Sequence, residues 1–334
     1  MKDNNPKTGN SCICCGQVSE YQYSASPLDY CMDKKFDVYR CANCGHGYTD
    51  KVESSDLTLV YEEGAYDPKE KFWHKILRPA FNVFEFAKIK YMDNFKQEGK
   101  SLLEVGTGKG SFLKAALNAG YDAYGIEPSV RSYTMAKAKV GERVVNCTLE
   151  SMHLNPTLNK KFDFIMLWHV LEHLHNPGEI ISLLQSYLKP GGILIIGVPN
   201  FDSYQSRAGK SNWYHLDPPR HLSHFTPASA GHLFGKSGME IRKIYYNSYF
   251  QNLMGEIITL NNMLLPHKNI LLNVLRFNGF YFKKTGAPAR IINLLGFAVI
   301  TAVAFVPCII FTHLSQLLKK SGTIVFAVQN SPAK

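Results

Sequence analysis

At 334 residues, 45% hydrophobic and 19% charged, the chain has room for one large domain and a small one and is too apolar for disorder. The net charge of +10 is uneven: residues 257–334 hold eight basic side chains and no Asp or Glu, a stretch of +8 against +2 for residues 1–256. Basic residues set among Leu, Ile, Phe and Val suit an anionic membrane surface, whereas a nucleic-acid footprint would interleave them with polar and aromatic ones. Met1 to Pro6 include no apolar run, so no secretory signal is expected and the cytosol is the expected compartment.

The first segment is defined by cysteine. Six of the eight cysteines precede residue 45, and Cys12-x-x-Cys15 and Cys41-x-x-Cys44 form two knuckles 25 residues apart. Gly16 and Gly45 follow them and permit the tight turn that faces backbone N–H groups toward the sulfurs. Four thiolates at this spacing suit a structural, tetrahedral Zn²⁺ with no open position. Residues 1–50 therefore read as a zinc ribbon, with Cys14 and Cys31 spare and Cys14 able to replace Cys12. Disulfides are the weaker reading in a reducing compartment. Residues 51–98 read as a helical lid or linker, with an amphipathic helix over 69–95 broken near Pro79.

From residue 99 strand and helix alternate. Apolar runs predict strands at 101–105, 122–126, 143–147, 162–168 and 192–198, and helices at 110–119, 130–139 and 177–188. The last helix is stopped by Lys189-Pro190-Gly191-Gly192. Strands at 239–246 and 323–329 complete the set. This order implies a doubly wound, mostly parallel α/β sheet of Rossmann type with its ligand at the carboxyl ends of the strands. Leu102 to Gly110 is a buried strand running into Gly106, Gly108 and Gly110, and Glu127 ends the next strand seventeen residues further on. Such glycines let backbone approach a ligand that any Cβ would block, and such a carboxylate lies where a ribose diol would sit. The pattern predicts a nucleoside pocket. A nicotinamide dehydrogenase is disfavoured, because Ser111 stands where Gly-x-Gly-x-x-Gly needs glycine.

With these motifs the chain resembles the class I S-adenosylmethionine-dependent methyltransferases over residues 100–250 and 323–329. Glu104-x-Gly106-x-Gly108-x-Gly110 is similar to that family's first motif, and Phe162 to Pro199 to its fourth and fifth strands. The resemblance assigns Glu104, Gly106, Thr107, Gly108, Gly110 and Glu127 to S-adenosyl-L-methionine. It implies that Glu150 lies near the adenine, and that Leu167, Trp168 and His169 line the methionine side. Asp163 to Pro177 and Pro219 to Pro227 are further similar to zinc-ribbon methyltransferases associated with cell-surface sugar and polysaccharide synthesis.

Methyl transfer needs an aligned acceptor and a base for its proton. Eight of the twelve histidines fall between 153 and 232. His169, Glu172 and His173 follow the fourth core strand, where a short helix at 170–174 would put His169 and His173 on one face and let Glu172 orient one of them. His221 and His224 follow the fifth, behind Arg220. These five are the candidate catalytic residues, and Tyr61 and Tyr66 are candidate cofactor caps. His169-Val-Leu-Glu172-His173 also spells the H-x-x-E-H of certain zinc proteases, but those place it within a long helix. Asp217-Pro218-Pro219 resembles an amino-methylation motif but comes one strand too late to serve.

Residues 291–312 carry no charge across 22 positions, about 33 Å of helix and enough to cross a bilayer. A single crossing would strand 323–329 on the wrong side of the sheet. The expectation is therefore a monotopic insertion over 247–322 between the core (99–246) and the last strand and tail (323–334), with Pro307 as a break. A buried helical subdomain is the plainer alternative. The sequence thus predicts a methyltransferase of a small or lipid-linked saccharide, methylating oxygen or carbon with a histidine base at the inner face of the cell membrane. Nucleic acid is a disfavoured partner. A ribosomal RNA methyltransferase gripping RNA with the ribbon is disfavoured by the near balance of charge in residues 1–60, and a non-enzymatic scaffold by the intact pocket motifs.

Overall fold

The computed structural model describes residues 8–28, 31–63, 72–275 and 278–331. In chain order the strands are β1 (Thr8–Ser11), β2 (Val18–Ala25), β3 (Phe36–Cys41), β4 (Gly47–Thr49), β5 (Ser101–Val105), β6 (Asp122–Ile126), β7 (Val144–Val145), β8 (Phe162–Trp168), β9 (Leu188–Pro199), β10 (Ser223–His224), β11 (Met239–Tyr245) and β12 (Thr323–Asn330). The principal helices are α1 (Phe72–Asp93), α2 (Ser111–Asn118), α3 (Val130–Val140), α4 (Pro177–Ser186), α5 (Tyr204–Gly209), α6 (Pro227–Lys236), α7 (Tyr249–Leu264) and α8 (Ala287–Leu317). The chain divides into two compact units, one built on residues 72–198, 233–245 and 325–334 and the other on 1–71, 199–232 and 246–324.

The first unit holds the seven-stranded sheet, in the order β11-β12-β9-β8-β5-β6-β7. Strands β5 to β9 pair in parallel, and β11 lies antiparallel to β12. The chain steps one way from β5 to β6 and β7, then returns to the other side of β5 with β8, so the direction of winding reverses beside β5. A ligand site is expected at the carboxyl ends on either side of that reversal. The sheet's faces are apolar: Leu102, Phe164, Met166, Ile193 and Ile195 are buried in one cluster with Met92, Phe112 and Val325. Buried on both sides, these strands lose the alternation of an exposed sheet and read as continuous apolar runs.

Three local expectations change. Helix α1 passes through Pro79 without a break; one missing hydrogen bond is a cost that a 22-residue helix carries. Strand β7 has shrunk to two residues, an edge position where little pairing is at stake. Strand β9 starts at Leu188, so Lys189-Pro190-Gly191-Gly192 belongs to the strand rather than to the end of a helix. A register shift between Phe162 and Phe164 absorbs the proline that cannot donate to the ladder.

The second unit contains a five-stranded antiparallel sheet ordered β1-β2-β3-β4-β10. Its first four strands are the cysteine ribbon. The fifth comes from far along the chain, pairing Ser223 with Tyr48 and His224 with Gly47. Ala25, Val38, Phe201, Trp213 and Leu216 form its buried cluster. Gly47 is required there, because a Cβ would come within 2.5 Å of the Phe201 ring. Helices α7 and α8 pack side by side and antiparallel: Asn261 Nδ2 donates to Thr301 Oγ1 at 3.2 Å, Thr312 Oγ1 donates to Glu256 Oε2 at 2.7 Å, and the Tyr249 and His313 rings meet at 5.1 Å. Helix α8 runs 31 residues straight through Pro307, so the expected break at that residue is absent. The turn in the insertion is made instead between α7 and α8.

Candidate cofactor site and cysteine cluster

Strand β5 ends at Val105, paired with Ile126 of β6, so the loop that follows meets the residue that ends β6. Gly106 and Thr107 N–H both donate to Ile126 O at 3.0 Å, which folds the loop back over the strand ends. Gly106, Gly108 and Gly110 all have positive φ, of 72°, 55° and 73°. At Gly106 a Cβ would strike Val170 at 2.6 Å, whereas at Gly108 it would meet nothing within 4 Å. One glycine is therefore fixed by packing and strain together. The next is fixed by backbone conformation beside open space, where a ligand can reach the peptide groups.

Glu127 follows Ile126 and turns toward this loop. Its Oε2 accepts from Gly108 N at 2.7 Å and its Oε1 from Ser129 N at 3.0 Å. Burial raises its carboxyl above the usual range, while those two N–H groups pull it back. Glu104, on β5, is 5% exposed, and among the described residues its Oε2 has no hydrogen-bond partner. Burial drives its carboxyl well above the usual range; the Lys88 ammonium opposes this and Glu85 and Glu127 add to it. An unpartnered buried carboxylate oxygen costs free energy that a cationic ligand group would recover. Thr107 is buried, with its hydroxyl on Glu104 O at 3.3 Å. Glu150 lies five residues beyond β7, exposed in a turn, its carbonyl 2.9 Å from His153 Nδ1.

Trp168 ends β8 and lies flat on Gly197 of β9, where a Cβ would fall 2.9 Å from the indole. Tyr91 stacks on it at 5.7 Å, and Lys88 Nζ stands 4.9 Å from the ring centroid. Sequence reading missed all three supports. Lys88 and Tyr91 sit on a helix where nothing distinguishes them from other surface and packing residues. Gly197 did leave a sign, a glycine inside an otherwise apolar strand.

His169 follows with φ of 53°, left-handed backbone that a non-glycine residue rarely adopts, and its N–H donates to Gly197 O at 2.9 Å. Its Nδ1 is 3.0 Å from Glu172 Oε1, and Glu172 is 1% exposed. The expected shared face of His169 and His173 does not form. Residues Leu171–His173 make a single 3₁₀ turn, and the left-handed His169 lies outside it. The pair that does form is His169 with Glu172.

His221 and His224 belong to the ribbon-bearing unit. His221 Nδ1 lies 2.8 Å from His215 O. His224 is 2% exposed in β10, its Nε2 3.0 Å from Thr49 Oγ1 and its ring stacked on Phe201 at 5.1 Å. Tyr61 is 42% exposed in a helical turn at Leu59–Glu63, and Tyr66 lies outside the described residues.

In the same unit the side chains of Cys12, Cys15, Cys41 and Cys44 converge, all four sulfurs within 4.8 Å of one another. Cys12 and Cys44 are 3.5 Å apart and Cys15 and Cys41 3.4 Å. A tetrahedron with metal–sulfur bonds of about 2.3 Å has edges of about 3.8 Å, so this cluster fits Zn²⁺. Gly16 N donates to Cys12 O at 2.7 Å and Gly45 N to Cys41 O at 3.0 Å, the two knuckle turns expected from the sequence. Burial pushes the Cys15 thiol up, but hydrogen bonds from Asn43 and Gln17 outweigh it and hold the group at about 6. Burial pushes the Cys12 and Cys44 thiols up.

A family profile described as a methyltransferase domain matches residues 73–244. Among curated proteins the chain is similar to a ubiquinone biosynthesis O-methyltransferase of Haemophilus ducreyi, 31% identical over 109 residues that cover 30% of this chain and 46% of that one. A protein of the same name from Bradyrhizobium is 28% identical over 148 residues, 40% of this chain and 56% of that one. The chain thus spans about half the length of these curated relatives. A solved SAM-dependent methyltransferase from Archaeoglobus fulgidus aligns at 17% identity with a TM-score of 0.45, over 77% of this chain and 99% of that one. With the profile covering just over half of its residues, including the glycine loop, Glu127 and the His169–Glu172 pair, the chain belongs to the methyltransferase domain family.

Proposed function

We propose that this protein uses S-adenosyl-L-methionine to methylate an oxygen or carbon atom of a small or lipid-linked acceptor, a sugar or glycolipid, at the inner surface of the cell membrane. The observation that carries the cofactor reading is the Gly108 peptide, beside open space and bonded to Glu127, with the buried Glu104 carboxylate on β5, whose Oε2 has no hydrogen-bond partner among the described residues. Glu127 keeps lone pairs for two ribose hydroxyls, and Glu104 suits the ammonium of the methionine part. The cofactor supplies an electrophilic methyl group on a sulfonium. Trp168, seated on Gly197 and held by Tyr91, supplies an apolar wall that keeps water from that end.

His169 is the base in this account. Glu172 accepts the Nδ1 proton, which fixes the ring and leaves Nε2 as the basic nitrogen. The names of the curated relatives support oxygen as the atom methylated. The four cysteines hold a structural Zn²⁺, since four thiolates leave no position for substrate. Membrane contact falls to α8, whose outward side chains include Val303 at 75% exposure, Ile292 at 68% and Leu317 at 77%. A soluble surface rarely presents so long an apolar row, and Lys283, Lys284, Arg290, Lys319 and Lys320 stand at its two ends to meet anionic headgroups.

Incubating lipid and polysaccharide extracts with the protein and a methyl-labelled cofactor, followed by mass spectrometry, tests this. An acceptor heavier by one methyl group in a lipid-extractable fraction is the expected result. Label that appears only in RNA would overturn the acceptor assignment.

A further inference from the structure

A cavity of about 630 Å³ lies within the ribbon-bearing unit, walled by α5, α7 and α8. Its lining is almost wholly apolar, from Leu260 and Met263 on α7 to Ala304, Phe311 and Leu314 on α8. That size is within the usual range for a bound small molecule, about 300–1,000 Å³. The α8 residues beside it, Ile310 at 54% and Phe311 at 41% exposure, belong to the same uncovered apolar row that faces outward. A hydrocarbon chain lying along that row can enter without crossing a polar surface.

A second recess adjoins the first. It measures about 560 Å³ and is polar, lined by Arg40, Lys319, Lys320, Asp202 and Glu20 among others. Tyr204 lines the apolar cavity, and its N–H donates at 3.1 Å to the carbonyl of Lys320, which lines the polar recess, so one hydrogen bond joins their walls. Leu314 in the first and Leu318 in the second are one helical turn apart, about 6 Å along the axis. The charge in the second recess is lopsided. Asp202 receives Arg207 at 2.6 Å, Arg40 at 3.3 Å and Lys320 as well, three cations on one carboxylate. Lys319 has no ion pair among the described residues, and Glu20 on β2 is the remaining acid of the lining. Three cations of the lining against its two carboxylates leave these side chains about +1, with Lys319 outside the Asp202 cluster, next to the apolar cavity.

From this junction we infer a binding site for a lipid phosphate: the hydrocarbon tail occupies the cavity between α7 and α8, and the phosphate or pyrophosphate head sits among Arg40, Lys319 and Lys320. Tail and head are both needed, because each recess satisfies only one half of such a molecule. Arginine and lysine around a phosphate make charge-assisted hydrogen bonds that a neutral alcohol cannot. The inference deepens the reading of a lipid-linked acceptor and rests on it for its place in the reaction, but binding itself requires no methyl transfer.

Isothermal titration of the full chain with farnesyl phosphate, farnesol and inorganic phosphate separates the two halves. Farnesyl phosphate is expected to bind at least tenfold more tightly than farnesol, with inorganic phosphate at equal concentration displacing neither. Lys319→Asn with Lys320→Gln should bring farnesyl phosphate down to the affinity of farnesol; asparagine suits the left-handed backbone at 319, where φ is 57°. Ala304→Trp should abolish binding of both. Equal affinity for alcohol and phosphate in the wild type, indifference to the lysine changes, or displacement by inorganic phosphate alone would overturn the site. S-adenosylmethionine affinity measured on the same samples reports separately on the transferase reading and on whether Ala304→Trp has folded.

Discussion

Gly106 and Gly108 share a backbone conformation but fail differently when changed. Gly106→Val adds a side chain where Val170 already stands at 2.6 Å, so it should lower stability by about 2–3 kcal/mol, read as an earlier urea midpoint. Gly108→Val meets no neighbour and should cost about 1–2 kcal/mol of backbone strain, while losing cofactor binding outright because the side chain fills the ligand's space. His169→Asn should cut turnover by about 10²–10⁴ with little change in cofactor affinity, and Glu172→Gln less. A fall in cofactor affinity equal to the fall in turnover would move His169 from base to binding.

Glu256 offers a pH test. It is 5% exposed beside the α7–α8 cavity, and burial raises its carboxyl to about 7, opposed by hydrogen bonds from Thr312, Gln205 and Ser315. A carboxyl raised in the folded state lends stability that is complete below its unfolded value and is lost as pH rises through 7. Glu256→Gln removes that loss. Urea unfolding should therefore show the variant gaining about 1 kcal/mol on the wild type between pH 6 and pH 8. A constant difference would place Glu256 in water.

Among the elements, the ribbon and α8 make the sharpest separate demands. The ribbon's four short strands supply just Ala25 and Val38 to a buried cluster completed by Phe201, Trp213 and Leu216, so its fold should depend on metal. One zinc per chain by mass spectrometry of metals is expected, with Cys41→Ser losing both the zinc and the protection of β2 and β3 from hydrogen exchange. Helix α8 should carry membrane affinity: Val303→Glu with Val299→Glu should release the protein from anionic vesicles in flotation, with secondary structure unchanged. Strands β5, β6 and β8 were legible residue for residue because they are short apolar runs ended by glycine or by a polar side chain, the mark of a sheet covered on both faces. Two others were not. β7, at the sheet's edge, shrank to two residues, and β9, an interior strand, began early because Leu188 pairs with Phe162 ahead of a register shift.

For the whole chain, long-range pairing is what the sequence concealed. β10 is two residues long and joins β4 across more than 170 positions; no local pattern marks Ser223 and His224 as strand. The histidine density that drew attention to residues 153–232 was a weaker guide than the glycines. It includes His224, which hydrogen-bonds Thr49 and packs on Phe201; Glu172 was expected to orient His169 or His173, but the left-handed backbone that gives it His169 left no local mark. Motifs confined to one loop were readable, and partnerships set by tertiary approach were not.

The glycine loop and Glu127 bear the central claim, and titration of purified protein with S-adenosyl-L-methionine tests it most directly. Wild type should bind at micromolar concentration, and Glu127→Ala should weaken binding by about tenfold or more, the loss of a charge-assisted bond to a hydroxyl. Equal uptake by wild type, Glu127→Ala and Gly108→Val would contradict the account.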